Sequence, residues 1–426
     1  MVTDRVLIHP YSADFALRSS RTPWFRLRFS PETGADGLSA VRRSRVVQDL
    51  ANDLFLAALG KFLLITLLWG DRMGRKTNAA LLVPLATVDT KNPLDFVNMV
   101  GGRPDIHFYW KEEAGKKPRL IGNPNKPTRR LHEVFGHYIR EGIIAMGDNE
   151  NYPLRRLPSS TAFVKDSNPL KNAEKHAGGK FFYIADIWNA YPSVDLERLT
   201  VLIVYIRKYD EYKFDFSLSM LGQNYLFQHE LTGDSLYPSV HAFLESYCGG
   251  IRGRGLAVGG PLSPYLFNLY CEAYVDASLR KLCDKYDIAF TRYADDFVFS
   301  RNKPIVGEIR EDIRRCITRA GFHVNHRKSK VLSREMGTVF VTKMGLRNDP
   351  GKGTAILVFS QKKRRRLHGM IGSYLVGRTD WPQKVKGFIS EFIYYYKNVV
   401  VPTATDRKTF GLCKKFEAEW AKYEYR

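Results

Sequence analysis

Thr291-Arg292-Tyr293-Ala294-Asp295-Asp296-Phe297-Val298-Phe299-Ser300 places two adjacent acids between two short apolar runs. Aromatic and β-branched residues on either side of a compact centre predict strand, tight turn, strand, with Asp295 and Asp296 at the tip. Neighbouring carboxylates repel each other, so a fold that fixes them side by side calls for a compensating metal ion. A solvated hairpin turn, where Asp is common, fits the same residues. The choice between the two lies elsewhere in the chain.

Upstream, Lys180-Phe181-Phe182-Tyr183-Ile184-Ala185-Asp186-Ile187 reads as an apolar strand ending in an acid. A carboxylate there is costly unless paired or metal-bound, although Asp186 could equally cap the helix that follows. Helical patterns run from Leu131 to Ile144, Leu199 to Tyr209, Tyr265 to about Tyr286 and Ile305 to Ala320. A further short strand follows Phe322-His323-Val324-Asn325-His326-Arg327-Lys328-Ser329-Lys330-Val331. This order is a split βαβ pattern, a sheet with helices on one face, with Asp186 and the acidic tip on adjacent strands.

Lys and Arg number 66 against 44 Asp and Glu, a formal charge of +22 in 426 residues. Nucleic acid is the usual partner for such an excess, with a membrane surface as the competitor. Three basic stretches stand out. One is the hairpin pattern from Tyr109 to Pro124, with Lys117 and Arg119. Another is the Gly-rich run Gly249-Gly250-Ile251-Arg252-Gly253-Arg254-Gly255, whose glycines allow close approach to a flat partner and whose arginines suit phosphate. The third is Gln361-Lys362-Lys363-Arg364-Arg365-Arg366, which opens a helix and precedes the aromatic helix Gly387 to Tyr396. Duplex backbone contact by this last run competes with a merely solvated face.

Cys248, Cys271, Cys283, Cys316 and Cys413 are scattered without paired spacing, which fits a reducing compartment and no zinc knuckle. The N-terminus is not a signal peptide, and Leu54 to Trp69, broken by Gly60 and Lys61, reads as a buried helix rather than a membrane span. The expected location is cytoplasmic. Residues 1 to about 105 otherwise carry no chemistry that can be named.

Taken together, these segments resemble the reverse transcriptase family. Tyr293-Ala294-Asp295-Asp296 resembles its YxDD box, and Asp186 with Tyr191 its preceding acidic motif and sugar-sensing aromatic. Gly259-Gly260-Pro261-Leu262-Ser263-Pro264 is similar to the QGxPxSP loop, and Asn325-His326-Arg327-Lys328-Ser329 to the NxxKT segment. Arg119-Leu120-Ile121 with Pro124 resembles the RxIxxP strand of the fingers. Asn172-Ala173 with His176, and Val341 to Asn348, resemble the NAxxH and VTGLxxN stretches of retron enzymes, with a departure at Lys343 and Met344.

The resemblance implies an α+β right-hand polymerase. Its parts would be a mainly helical N-terminal extension over 1–105, fingers over 106–185, a palm with a split βαβ sheet over 186–345, with a fingers-like insertion at about 200–250, and a helical thumb over 346–426. It implies RNA-directed DNA synthesis with two Mg²⁺ ions (or Mn²⁺) held by Asp186, Asp295, Asp296 and the Ile187 carbonyl. Tyr191 would exclude the 2′-hydroxyl, and Lys117 and Arg119 would meet the triphosphate. Val258 and Gly259 would lie by the nucleotide, and Lys328 would protonate pyrophosphate. Arg252, Arg254 and Lys362 to Arg366 would hold nucleic acid. The implied partners are dNTPs, a dedicated non-coding RNA template, the DNA product, and an effector protein or further copies of the chain, with no membrane. No room is left for an endonuclease or RNase H domain, which points to a retron-like or phage-defence enzyme.

Val258 departs from the family's Gln before the Gly-Pro loop, and Val cannot make the hydrogen bonds of that amide. It keeps open a template-independent or protein-primed DNA polymerase on the same palm. A maturase-like RNA-binding protein is the reading from a different class.

Overall fold

The computed structural model describes residues 92–113, 115, 117–146, 153–209, 225–349, 355–378, 382–399 and 401–424. The N-terminal extension up to residue 91, including the stretch Leu54 to Trp69, lies outside the described residues. Among the described residues no helix is long and apolar enough to cross a membrane, and all five cysteines are free.

The organising element is a four-stranded antiparallel sheet. Strands β1 (Ile106–Lys111) and β2 (Arg119–Pro124) form a separate hairpin. The main sheet holds β3 (Phe181–Asp186), β4 (Ala289–Tyr293), β5 (Asp296–Arg301) and β6 (Lys330–Ser333) in the order β4-β5-β3-β6. Because β5 is antiparallel to both β3 and β4, those two run the same way with β5 between them, which is the expected split βαβ arrangement. β7 (Val339–Val341), β8 (Met344–Asn348) and β9 (Ala355–Phe359) make a third, antiparallel sheet.

Two of the expected domain boundaries cut through strands. β3 belongs to the main sheet along its whole length, so a division between 185 and 186 splits it. A division between 345 and 346 likewise splits β8.

Side chains alternate across a strand, and here each face of the sheet serves a different core. Tyr183, Ala185, Phe297 and Phe299 join one core with four helices: α1 (Lys126–Ala145), α2 (Leu196–Arg207), α3 (Ser263–Cys271) and α5 (Gly307–Arg319). α4 (Ala277–Tyr286) continues α3 beyond a π-helical turn, Glu272–Asp276. Helix α1 presents Leu131, Phe135, Ile139 and Ile143, and α5 presents Ile309, Ile313 and Ile317, each at four-residue spacing. Each such buried side chain contributes about 1.5–3 kcal/mol relative to exposure. α2 contributes to the core along most of its length, from Leu196 to Ile206.

Phe182, Ile184, Val298 and Leu332 face the other way. They pack with β7–β9 and the C-terminal helices α6 (Gln361–Leu375), α7 (Pro382–Asn398) and α8 (Ala404–Glu424). The helices of the first core cover only one face, as expected, and a second sheet covers the other.

His176 fastens the acidic hairpin from behind. It is buried, with Nδ1 2.7 Å from the Ser300 hydroxyl on β5 and Nε2 2.7 Å from the Thr291 hydroxyl on β4. Burial drives its pKa down to about 3, so the ring is neutral in the folded protein. Between the ordinary 6.5 and about 3 the unfolded chain binds a proton that the folded chain refuses, so acid costs stability in that window. Denaturant titrations at pH 7 and pH 5 should show His176→Gln losing about 2 kcal/mol less than the parent on acidification; equal losses would overturn the assignment of a neutral His176.

Candidate active site

The register of the sheet sets Asp186, the last residue of β3, opposite Asp296, the first of β5. Tyr293 pairs with Asp296, leaving Ala294 and Asp295 as the turn. Asp295 is thus in the turn, and Asp296 already belongs to the strand. Ala294 has φ 54, a left-handed conformation that costs an L-residue about 1 kcal/mol.

Around Asp186 the chain folds back on itself. The Asn325 backbone N–H donates to the Asp186 carbonyl at 2.7 Å, and Asn325 Nδ2 to Asp186 Oδ1 at 3.1 Å. Lys328 Nζ, on a largely exposed side chain, lies 3.1 Å from Asp186 Oδ1. The Asp186 N–H donates to Ser329 Oγ at 3.4 Å. The segment resembling NxxKT therefore acts here as a brace and counter-ion for Asp186. Ile187 is buried and bridged to Val324.

The electrostatics bear out the crowding. Burial, then Asp295, then Asp186 push the Asp296 carboxyl up to about 6, against smaller opposing effects of Lys328 and Lys343. Asp295 is raised by burial and by Asp186, with Lys328 and Arg119 opposing. Tyr191 is pushed up to about 12, by burial first and by Asp295 second. Asp186, Asp295, Asp296, Lys328, Tyr191 and Arg119 thus belong to one neighbourhood.

Asp186 is committed to Lys328 and Asn325, and as the side chains stand no three His, Cys, Asp or Glu groups among the described residues form a ready metal cage. The donor chemistry nonetheless fits a divalent cation. Asp186, Asp295 and Asp296 are hard oxygen donors, and the latter two resist ionisation, first because burial disfavours their charge and then because neighbouring carboxylates repel it.

The glycine-rich loop closes the site from the side, by contact with the protein itself. The Gly122 N–H of β2 donates to the Val258 carbonyl at 2.8 Å. A Cβ on Gly259 (φ 106) would lie 2.7 Å from the Gly122 oxygen, and one on Gly255 (φ 57) 2.2 Å from the Pro192 oxygen. The close approach expected of these glycines is therefore intramolecular: it locks the loop between β2 and the Tyr191-Pro192 turn. Val258 is half-buried and fixed through its backbone. Arg252, Arg254 and Lys117 are exposed, and among the described residues no contact ties them to the carboxylates.

The basic run of α6 divides in two. Lys363 pairs with Glu391 of α7, and Arg364 with the buried Asp406 of α8, so both serve as internal ties rather than one continuous basic face. Arg366 lies over the Phe388 ring, 4.8 Å from its centroid. Lys362 and Arg365 are exposed.

Several residues escaped the sequence reading. Arg292 and Asp276 form a fully buried ion pair at 2.8 Å beneath the turn. The visible signal was a charge within each of two otherwise apolar stretches, where burial demands a partner. Asn172 Nδ2 donates to the Thr342 hydroxyl at 3.3 Å, and Thr161 Oγ1 donates to Asn172 Oδ1 at 2.8 Å. This links the β7–β8 hairpin to the strand-side contacts of Arg292. The tip of that hairpin is Thr342 and Lys343, both left-handed at φ 46 and 70, as a type I′ turn requires.

Comparison with known proteins follows the same segments. Residues 111–365, more than half of the chain, match the family model described as reverse transcriptase (RNA-dependent DNA polymerase). The chain is similar to the retron Ec73 reverse transcriptase of Escherichia coli, 24% identical over 250 residues, covering 56% of this chain and 72% of the relative. It is also similar to the Escherichia coli retron Ec86 reverse transcriptase, 22% identical over 322 residues, covering 74% and 82%. Among solved structures, a Candida albicans telomerase complexed with a telomeric RNA fragment aligns with a TM-score of 0.38 at 12% identity, over 71% of this chain. The chain spans 57% of that telomerase.

Replacing Asp296 by Asn should stabilise the metal-free protein by about 1–2 kcal/mol at pH 8, because it removes a charge the site disfavours. The gain should be full above about pH 6 and disappear as pH falls towards 3.8, the window over which the raised carboxyl takes up its proton. Thermal melts across pH would test this, and no gain at pH 8 would contradict the reading of a strained acidic cluster.

Proposed function

The chain belongs to the reverse transcriptase (RNA-dependent DNA polymerase) family, and on that premise we propose that it copies a dedicated non-coding RNA into DNA at Asp186, Asp295 and Asp296, in the service of antiviral defence in the bacterial cytoplasm. The observation that carries the site assignment is the register: Asp186 opposite Asp296, with Asp295 in the adjoining turn. We assign β1, β2 and α1 to the fingers, the main sheet from Phe181 onward to the palm, and α6–α8 to the thumb.

The reaction is in-line attack of a primer 3′-hydroxyl on the α-phosphorus of a dNTP, forming the new phosphodiester and releasing pyrophosphate. Positioning and charge stabilisation do most of the catalytic work in such transfers. Enzymes of this family generally use divalent metals. Here Asp186, Asp295, Asp296 and the Ile187 carbonyl would hold two Mg²⁺ ions. When bound, such ions stabilise charge on the attacking and leaving oxygens. Arg119 binds the triphosphate, a role its planar fork suits, and Lys117 assists it. Tyr191, held by stacking on Phe267 at 4.9 Å, would lie under the sugar and exclude a 2′-hydroxyl. Lys328, within reach of Asp186, is the proton source for departing pyrophosphate.

Val258 supports a second reading, template-independent or protein-primed synthesis on the same palm. Its side chain offers no hydrogen bond to a template base or nucleotide, and its backbone is already engaged by Gly122. Purifying the full chain from its native host and sequencing the co-purifying RNA and DNA would decide between the two. Product complementary to a bound RNA supports templated copying; homopolymer made when dNTPs are supplied singly supports the alternative.

Asp295→Ala should abolish nucleotide incorporation while the protein remains folded; persisting synthesis would remove the carboxylate from the mechanism. Tyr191→Ala should admit ribonucleotides, and unchanged rNTP/dNTP discrimination would end its role as sugar gate. Nucleic-acid affinity should fall steeply with salt, and Lys362→Ala and Arg365→Ala should each lower the log–log slope by about 1. Arg364→Ala should instead leave the slope alone and cost about 3 kcal/mol of stability by stranding Asp406; the reverse pattern would refute the division of the basic run.

A further inference from the structure

We propose that Arg292 is a positioning residue that sets the metal-binding acid Asp295 and the sugar gate Tyr191 together, and that Asp276 on the π-helical turn holds Arg292 in place. The inference rests on the functional reading above and concerns residues to which neither the motifs nor the comparisons give a role.

Arg292 is completely buried on β4. Its Nε lies 3.0 Å from both Asp276 oxygens, and its Nη2 lies 2.8 Å from Oδ2. Nη1 donates to Asn268 Oδ1 at 2.9 Å and to the Ala294 carbonyl at 3.2 Å. Ala294 is the left-handed residue immediately before Asp295. A strained turn keeps its geometry only where its surroundings over-determine it, and this guanidinium bond does so at the residue that aims Asp295.

The same guanidinium lies over the Phe267 ring, 5.4 Å from its centroid. Tyr191 stacks on that ring at 4.9 Å with 29° between planes. One cation therefore contacts the turn that aims the acid and the ring that supports the gate. The backbone of Arg292 is fixed as well: its N–H donates to the Ser159 carbonyl at 2.7 Å, and its carbonyl accepts from the Thr161 N–H at 2.8 Å.

Asp276 lies on the π-turn Glu272–Asp276, inside an otherwise regular helical run. Such turns re-aim side chains and are frequent at functional sites. Glu272, the other acid of that turn, is occupied separately: Arg280 Nη1 donates to its Oε2 at 3.0 Å. Asp276 is thus the carboxylate that hydrogen-bonds Arg292, while Glu272 adds negative charge from further off.

The test compares Asp276→Asn, Asp276→Glu and Phe267→Leu with the parent, in the full chain. One readout needs no synthesis: the rise in melting temperature with added Mg²⁺, which reports binding at the carboxylates. The others are kcat and KM for dNTP per folded molecule, and selectivity against rNTP. Asp276→Asn should raise the half-saturating Mg²⁺ about fivefold in the melting assay. It should lower kcat about tenfold with little change in KM, because it loosens an acid used in the transition state. Asp276→Glu should recover part of both effects.

Asp276→Asn and Phe267→Leu should both lose selectivity, by about fivefold. A lower melting temperature with unchanged Mg²⁺ midpoint and selectivity would reduce the pair to structural support and overturn the proposal. If Asp276→Asn does not fold, Phe267→Leu, which leaves the ion pair intact, decides it: unchanged selectivity overturns the coupling. A parent that binds Mg²⁺ but makes no DNA would defeat the proposed function instead, while the Mg²⁺ midpoints would still judge Arg292.

Discussion

Like charges held one strand apart set the terms for the structure around them. Asp186 and Asp296 are register partners, and Asp295 precedes Asp296 in a two-residue turn. None of the three can be moved far from the others without breaking the sheet, because a slip of one residue would turn Phe297 and Val298 towards the wrong cores. The repulsion is therefore met by neighbouring groups rather than relieved by movement. Lys328 and Asn325 hold Asp186, Arg119 and Lys343 supply distant positive charge, and the rest of the demand is left for a ligand.

Behind the acids stands a layer of buried and half-buried polar contacts. His176 joins β4 to β5, Asn172 joins the β7–β8 tip to Thr161, and Arg292 joins the turn to the helical core. In a low-dielectric interior such bonds are costly to leave unmade, so they fix relative positions more strictly than apolar packing does. This gives a physical meaning to the segment resembling NAxxH. Its Asn and His serve as struts of the acidic hairpin.

Much of this was readable before any coordinates. Strand-turn-strand at Asp295, the apolar strand ending in Asp186 and the helices α1, α5 and α6 follow from local periodicity and charge placement, and the split βαβ pattern set the two acidic strands side by side. Three things were hidden because they depend on packing between distant segments. Whether a lysine or arginine on α6 faces outward depends on where Glu391 and Asp406 fall, and neither α7 nor α8 announces that in its pattern. The glycines of the 249–260 loop showed a need for close approach but not its object, which proved to be Pro192 and Gly122. The Arg292–Asp276 pair joins two charges whose apolar surroundings signalled burial, but nothing local to either says that they meet. The boundary drawn between 185 and 186 cuts β3 for the same reason: that strand is recruited by β5 and β6, more than a hundred residues further along the chain.

The two-faced character of β3 and β5 bears on how separable the C-terminal region is. Phe182 and Val298, each one residue removed from side chains of the first core, form the floor of the core roofed by β7–β9 and α6–α8. The C-terminal region is therefore not a module that can be exchanged at a linker. A graft joined near residue 346 would have to reproduce the packing against Phe182, Val298 and Leu332, or the strands that carry the acids would be left with one side uncovered.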